Sequence, residues 1–343
     1  MNSVIKPRLN SFVDRFRGLQ ASSPWMRRFS MLAQVWTLIA LFVFFSLASD
    51  SFSRPINLRN ILTQVSTLAI FASGMTFVLL LGQIDLSIAA VAALSAMISA
   101  HLYSKLGYAE PIPSLAGIGA ATFMGLVSGV ASARFRIPTF MSTLAMSLIA
   151  GGLTTYISKG RVITKVSQLS MTLGSKRIGG PDGLPVIVIV AIVTLAVGYV
   201  ILRYTRFGRY TYMTGANRSA ARLAGVNTDR VLVVVMTISG FCAGLAGIIS
   251  MGRLHSAQPD ATDSFLIDTI GAVVLGGTSL MGGRGGMPQT VIGLLIYGTL
   301  RNGLDNIPSI DIYLKEFITG TVLLVALLIN TVFAGTAERD RTI

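Results

Sequence analysis

The sequence predicts an all-α fold, a polytopic membrane helix bundle of about ten transmembrane helices with an internal pseudo-repeat and interrupted helices. Three observations carry that expectation. Of 343 residues, 52% are hydrophobic and only 12% are charged, against roughly 25% charged in soluble chains. Mean hydropathy is +0.69. Apolar windows of spanning length, ~20 residues each, recur between polar punctuation. Together these exclude a water-soluble globule. A single cysteine, Cys242, excludes an internal disulfide, and His101 and His255 lie far apart in the chain. No catalytic residue and no metal site is expected from these residues.

Hydropathy places spans at 31–49, 61–81, 85–104, 112–133, 139–158, 184–203, 231–252, 266–283, 287–305 and 313–334. Residues 1–30 form a basic tail carrying Lys6, Arg8, Arg15, Arg17, Arg27 and Arg28. No small-residue cleavage site follows the first apolar run, so the tail reads as cytoplasmic and retained. The transmembrane domain is 31–334, and 335–343 is a second cytoplasmic tail. With the N-terminus inside, 17 of the 28 basic residues fall on the cytoplasmic side, as the positive-inside bias requires. The net charge of +14 is therefore assigned to membrane topology and contact with lipid headgroups; nucleic acid is not an expected partner.

Small residues interrupt the apolar windows: Gly125 and Gly129, Gly151 and Gly152, Gly244 and Gly247. Such positions let helix backbones approach closely. Two places break the helical pattern outright. Gly82-Gln83-Ile84-Asp85-Leu86-Ser87 joins two apolar spans without a real loop. It reads either as a tight turn in which Asp85 or Ser87 caps the next helix, or as part of a solute route. Gly276 to Gly286 holds six glycines in eleven residues, costing a regular helix ~1 kcal/mol each. Backbone opened at that depth survives only where it is buried in protein or faces water. The candidate translocation residues are Asp85, Ser87, Gly277, Thr278, Ser279 and Gly282. Each break follows an apolar stretch beginning near a glycine, Gly74 or Gly271, a weak sign of internal duplication. Thr63, Gln64, Ser66, Thr76, Ser142 and Thr143 could offer a solute weak polar contacts; back-bonding to their own helices is the simpler reading.

The hydrophilic loop 204–230 is the most informative stretch. Asn217 or Ser219 can cap a short helix, Ala220 to Ala224 favour it, and Gly225 can end it. A short helix with small apolar knobs suits a partner's groove. This loop resembles the coupling region of bacterial ABC importer permeases, with Ser219-Ala220-Ala221, three residues, then Gly225. Ser219 replaces the acidic residue usual in that pattern.

The resemblance narrows to the branched-chain permease group of ribose, xylose, arabinose and galactose importers. It is carried by Thr205-Arg-Phe-Gly-Arg-Tyr, Ala-Ala-Arg-Leu-Ala-Gly-Val-Asn, Ser256-Ala-Gln-Pro, Asp85-Leu-Ser and the run Asp268 to Gly285. It implies a translocation subunit in the bacterial inner membrane that imports a monosaccharide or related polyol. It also implies three partners: a twin-cassette ATPase, an extracytoplasmic substrate-binding protein and a second permease chain. Ser219, Ala220, Ala221, Arg222, Leu223 and Gly225 are then the ATPase-coupling residues. The chain has no Gly-Lys pair, so no phosphate-binding loop is expected; ATP and magnesium belong to the partner ATPase. The extracytoplasmic loop 159–183, with Lys159, Arg161, Lys165, Lys176 and Arg177, is a docking candidate for the binding protein. The competing expectation is an ion-coupled secondary transporter using Asp85, Asp268, Asp305 or Glu316, all near span ends where water could solvate them.

Overall fold

The computed structural model describes residues 33–325 except Pro181, Ser309, Ile310 and Ile312. The tails 1–30 and 335–343, and the last part of the 313–334 span, lie outside the described residues. Helices dominate: α1 Ala33–Ala48, α2 Pro55–Leu80, α3 Ile88–Ser104, α4 Ile112–Arg134, α5 Thr139–Ser158, α6 Gln168–Ser175, α7 Val186–Tyr204, α8 Arg206–Ala216, α9 Arg218–Leu223, α10 Thr228–Leu254, α11 Phe265–Leu275 and α12 Met287–Asp305. A further helix, α13, covers 313–325. Five of these, α2, α4, α5, α7 and α10, are long and apolar enough to cross a membrane, and α1, α3 and α11 are shorter apolar helices.

The boundaries have local causes. Proline in the first turn starts α2, α4 and α12, where its missing N–H removes no helical bond. Ser167, Thr205, Asn217 and Asn227 each accept a backbone N–H as N-caps of α6, α8, α9 and α10. The expected span 266–283 is corrected: α11 stops at Leu275. Eleven helical residues reach only ~16 Å, about half a bilayer core, because the glycine run that follows cannot sustain a helix. Loop 159–183 is also more structured than expected. It contains α6 and the first strand of a two-stranded hairpin, β1 Arg177–Ile178, which pairs with β2 Leu184–Pro185 just after it.

Helix α10 is the axis of the packing, touching α2, α3, α4 and α6. Its contact with α4 is close enough that a Cβ on Gly125 would strike the Met236 carbonyl and sit 3.0 Å from the Gly240 Cα. Gly151 and Gly152 do not serve that purpose in this chain: a Cβ on either would meet nothing within 4 Å. The core runs through Ile70, Phe71, Met75 and Val78 of α2 and Val235, Met236 and Ile249 of α10.

Candidate functional site

Three separated sequence features converge at one end of the bundle: the break after α2, the glycine run after α11, and the α8–α9 segment. The Gly283 N–H donates to the Leu80 carbonyl at 2.9 Å, closing the glycine run onto the end of α2. A Cβ on Gly82 (φ +67°) would lie 3.0 Å from the Met281 carbonyl, and Gly215 of α8 abuts the Leu80 carbonyl. Tyr212 of α8 donates its hydroxyl to the Gly285 carbonyl at 2.9 Å. Burial raises the Tyr212 pKa, while the Arg203 charge opposes that shift, so the phenol stays a donor. The glycine run is thus a knot with its own bonds, Ser279 N–H to Arg284 O at 3.0 Å and Gly282 N–H to Ser279 O at 3.2 Å; Gly276, Thr278 and Gly286 are buried in it, while Leu280, Met281 and Arg284 are exposed.

The short helix α9 stands on this knot. Asn217 Oδ1 accepts from the Ala220 N–H at 2.9 Å. At the other end Gly225 takes φ +81°. Its N–H reaches Arg222 O and the Val226 N–H reaches Ala221 O, both at 3.0 Å. That pair of bonds is the Schellman arrangement, which satisfies two otherwise orphaned carbonyls. Ala221 and Val226 are buried beneath it, whereas Ser219, Ala220, Leu223 and Ala224 face outward. Leu223 is 91% exposed.

Ion pairs fasten α9 to the long helix α10. Arg218 and Arg222 both donate to Asp229 Oδ1 at 2.8 Å. Arg222 Nε also donates to Thr228 Oγ1 at 2.9 Å. Each pair is half exposed and individually weak. Sharing one carboxylate, they constrain the direction of α9 relative to α10 more than they stabilise the fold. Sequence reasoning found the capped helix but missed this clamp, and it missed α8 as a helix. The signal for α8 was available in Phe207, Thr211 and Thr214, spaced for one helical face.

The candidate translocation residues do not share one environment. Asp85 is 1% exposed. Its Oδ1 accepts from the Ser87 N–H at 2.9 Å and the Ser87 hydroxyl at 2.6 Å. Oδ2 accepts from Ser239 of α10 at 2.6 Å. The expectation that water solvates Asp85 is therefore corrected: hydroxyls replace water at this carboxylate. Ser87 occupies the N-cap position of α3, but its side chain makes no capping bond. Thr278 is fully buried beside Gly285 and Gly286, and Ser279, Gly277 and Gly282 lie within the knot. Thr63, Ser66, Thr76 and Thr143 each back-bond to a carbonyl of their own helix, and Thr143 also accepts the Leu86 N–H at 3.1 Å. Thr76 meets Thr290 of α12 at 2.7 Å.

A cleft of about 410 Å³ opens beside the clamp, lined by Gln83, Arg136, Thr139, Arg218, Arg222 and Asp229 among others. At the opposite end, Asn57 Nδ2 donates to Asn302 Oδ1 at 2.7 Å and Asn306 Nδ2 donates to Asn57 Oδ1 at 3.2 Å, locking α2 to α12. Asp268 accepts from Tyr297 at 2.5 Å and from Arg301 at 2.6 Å, so it too has protein partners. Arg59 pairs with Asp182 of the hairpin loop. The Ile163–Ala257 bridge ties loop 159–183 to the segment after α10.

The chain was compared with known proteins. It is 40% identical to the ribose import permease protein RbsC of Escherichia coli K12 over 309 residues, 89% of this chain and 94% of that protein. It is 38% identical to RbsC of Bacillus subtilis over 85% of this chain and 90% of that one. Against the galactofuranose transporter permease protein YtfT of Escherichia coli K12 the identity is 32%, over 85% of each chain. No solved structure matches the chain significantly. A family model described as the permease component of the branched-chain amino acid transport system matches residues 57–327. That match takes in both helix breaks, the knot and the α9 clamp, and on it the chain belongs to this family of multi-pass membrane permeases.

Proposed function

We propose that the chain is the translocation subunit of an ATP-binding-cassette importer that carries a monosaccharide or related polyol into the cytoplasm. The relatives named for ribose and galactofuranose support the solute class. In this reading the chain crosses the bacterial inner membrane about ten times, with both termini cytoplasmic. A separate twin-cassette ATPase supplies ATP and magnesium chemistry, a second permease chain completes the route, and an extracytoplasmic binding protein delivers the solute.

One observation carries the reading: a capped helix of six residues presents Leu223 outward and is pinned by two arginines to the first turn of α10. A motor that moves Leu223 moves α10, and α10 touches the helices on either side of the Asp85 break. Such rigid-body transmission suits alternating access. Leu223→Asp tests it. Its side chain is exposed, so membrane insertion stays normal while the ATPase is lost from the purified complex. Retained co-purification refutes the coupling role.

An ion-coupled carrier is the second reading, favoured by the buried Asp85, whose partners are hydroxyls and a backbone N–H, with no cationic side chain paired to it among the described residues. Uptake that ionophores abolish and ATP depletion leaves intact would select it.

A further inference from the structure

We propose that the cleft between the adjoining ends of α4 and α10 is a binding site for one anionic phospholipid. The cleft measures about 510 Å³, and Val130, Val233 and Val234 supply an apolar wall. Arg134, Arg136 and Arg230 line the same cleft and are exposed. Among the described residues none of the three is ion-paired. Asp229 also lines the cleft, but its Oδ1 is already shared by Arg218 and Arg222. The site therefore has surplus positive charge beside an apolar surface.

One feature separates a lipid from other anions. The valine wall continues onto the outward faces of the same helices, where Leu126, Val127 and Phe241 are exposed. In a membrane protein that surface meets acyl chains. A free anion would use only the guanidiniums, and an acidic peptide would leave the valines unmatched. A phospholipid with a net negative headgroup uses both, its phosphate on the arginines and one chain along the wall. Arg136 takes a left-handed backbone, φ +56°, and its side chain lines the cleft.

Native mass spectrometry of the full-length protein, after exchange into phosphatidylglycerol or phosphatidylcholine vesicles, tests the site. Wild type retains phosphatidylglycerol preferentially. The Arg134→Gln/Arg136→Gln/Arg230→Gln variant loses at least about tenfold of it. Arg206→Gln/Arg209→Gln, which removes charge from α8 instead, loses less than about twofold. Val234→Trp fills the cleft without changing charge and lowers retention as the triple variant does. Equal retention of the two lipids, undiminished retention in the triple variant or in Val234→Trp, or an equal loss in the α8 control overturns the proposal. So does displacement of the lipid by inorganic phosphate alone. Loss of the co-purified ATPase with lipid retention unchanged would assign the cleft to a protein partner and overturn it as well.

Discussion

Helices α2 and α7 are both apolar enough to cross a bilayer, yet their surroundings are opposite. The most apolar window of α2 is 83% buried, while that of α7 is 28% buried. The hydropathies run the other way: 1.6 for α2 and 2.6 for α7. In water the more apolar helix would be inside. In lipid, acyl chains are as apolar as leucine, so hydropathy gives no reason for a helix to leave them. What draws α2 inward is its close-packing and polar set: Asn57, Ser66, Thr67, Ser73, Gly74 and Thr76, all buried. Helix α7, a run of valine, isoleucine, leucine and alanine broken by few polar residues, leaves Ile192, Val193, Val197 and Val200 exposed. Of these two helices, the one rich in small and hydroxyl side chains is drawn into the bundle, and the one built almost wholly of aliphatic residues is left outside it.

Three sets of substitutions can break this contrast. The largest effect is expected from Gly125→Leu, which forces a side chain into the α10 backbone at Met236 and Gly240. Overpacking costs about 1–3 kcal/mol where neighbours can move; here the neighbours are backbone, which moves least, so the cost exceeds that of a core truncation and little monodisperse protein should survive detergent extraction. Gly151→Leu adds the same atoms into open space and should run as wild type on size exclusion. Equal behaviour of the two would show that glycine in this bundle does not report helix contact.

Next comes Ile70→Ala on α2 against Ile192→Ala on α7. Ile70 is fully buried and Ile192 is 58% exposed. A core truncation costs about 2–5 kcal/mol, so Ile70→Ala should lower the thermal midpoint by several degrees in a dye-based melt. Ile192→Ala should leave it unchanged.

The smallest effect sharpens the comparison at the polar level. Asp85→Ala removes the acceptor for Ser87 N–H, Ser87 Oγ and Ser239 Oγ. An unsatisfied buried donor costs about 1–3 kcal/mol, and the hydroxyls can partly re-pair, so a net loss of about 2 kcal/mol is expected. Asp85→Asn keeps one acceptor oxygen and should recover part of that stability. Asp182→Ala, in an exposed pair with Arg59, should not shift the melt. If Asp85→Asn also retains uptake, an ion-coupled carrier that uses a proton at Asp85 falls, because the amide cannot titrate.

Much of this architecture was legible in the chain. The 139–158 window coincides with α5, and proline and cap residues place the starts of α4, α9 and α12 within a residue or two. Asn217 and Gly225 bounded α9 because capping is local chemistry, decided within one turn. The glycine run announced a break for the same reason. The clamp on Asp229 was not legible. Nothing in the order of residues says that Arg218 and Arg222 share one carboxylate oxygen, since that depends on how α9 folds back on α10. Nor did the chain show that Asp85 would be met by Ser239, 154 positions away. The role assigned to Gly151 and Gly152 failed on similar grounds: a small residue permits close approach but does not supply the neighbour.

By itself, then, the amino-acid order determined that this protein lives in a bilayer, where several of its helices start and stop, and which short helix stands apart from them. These follow from transfer free energy and from hydrogen bonds spanning a turn or less. Tertiary structure alone decided which helices face lipid, that the two breaks and α8 form one knot, and that arginines collect beside a valine-lined cleft. Those outcomes depend on contacts between residues far apart in the chain, and in a medium as apolar as the side chains themselves, only shape and polar complementarity select among them.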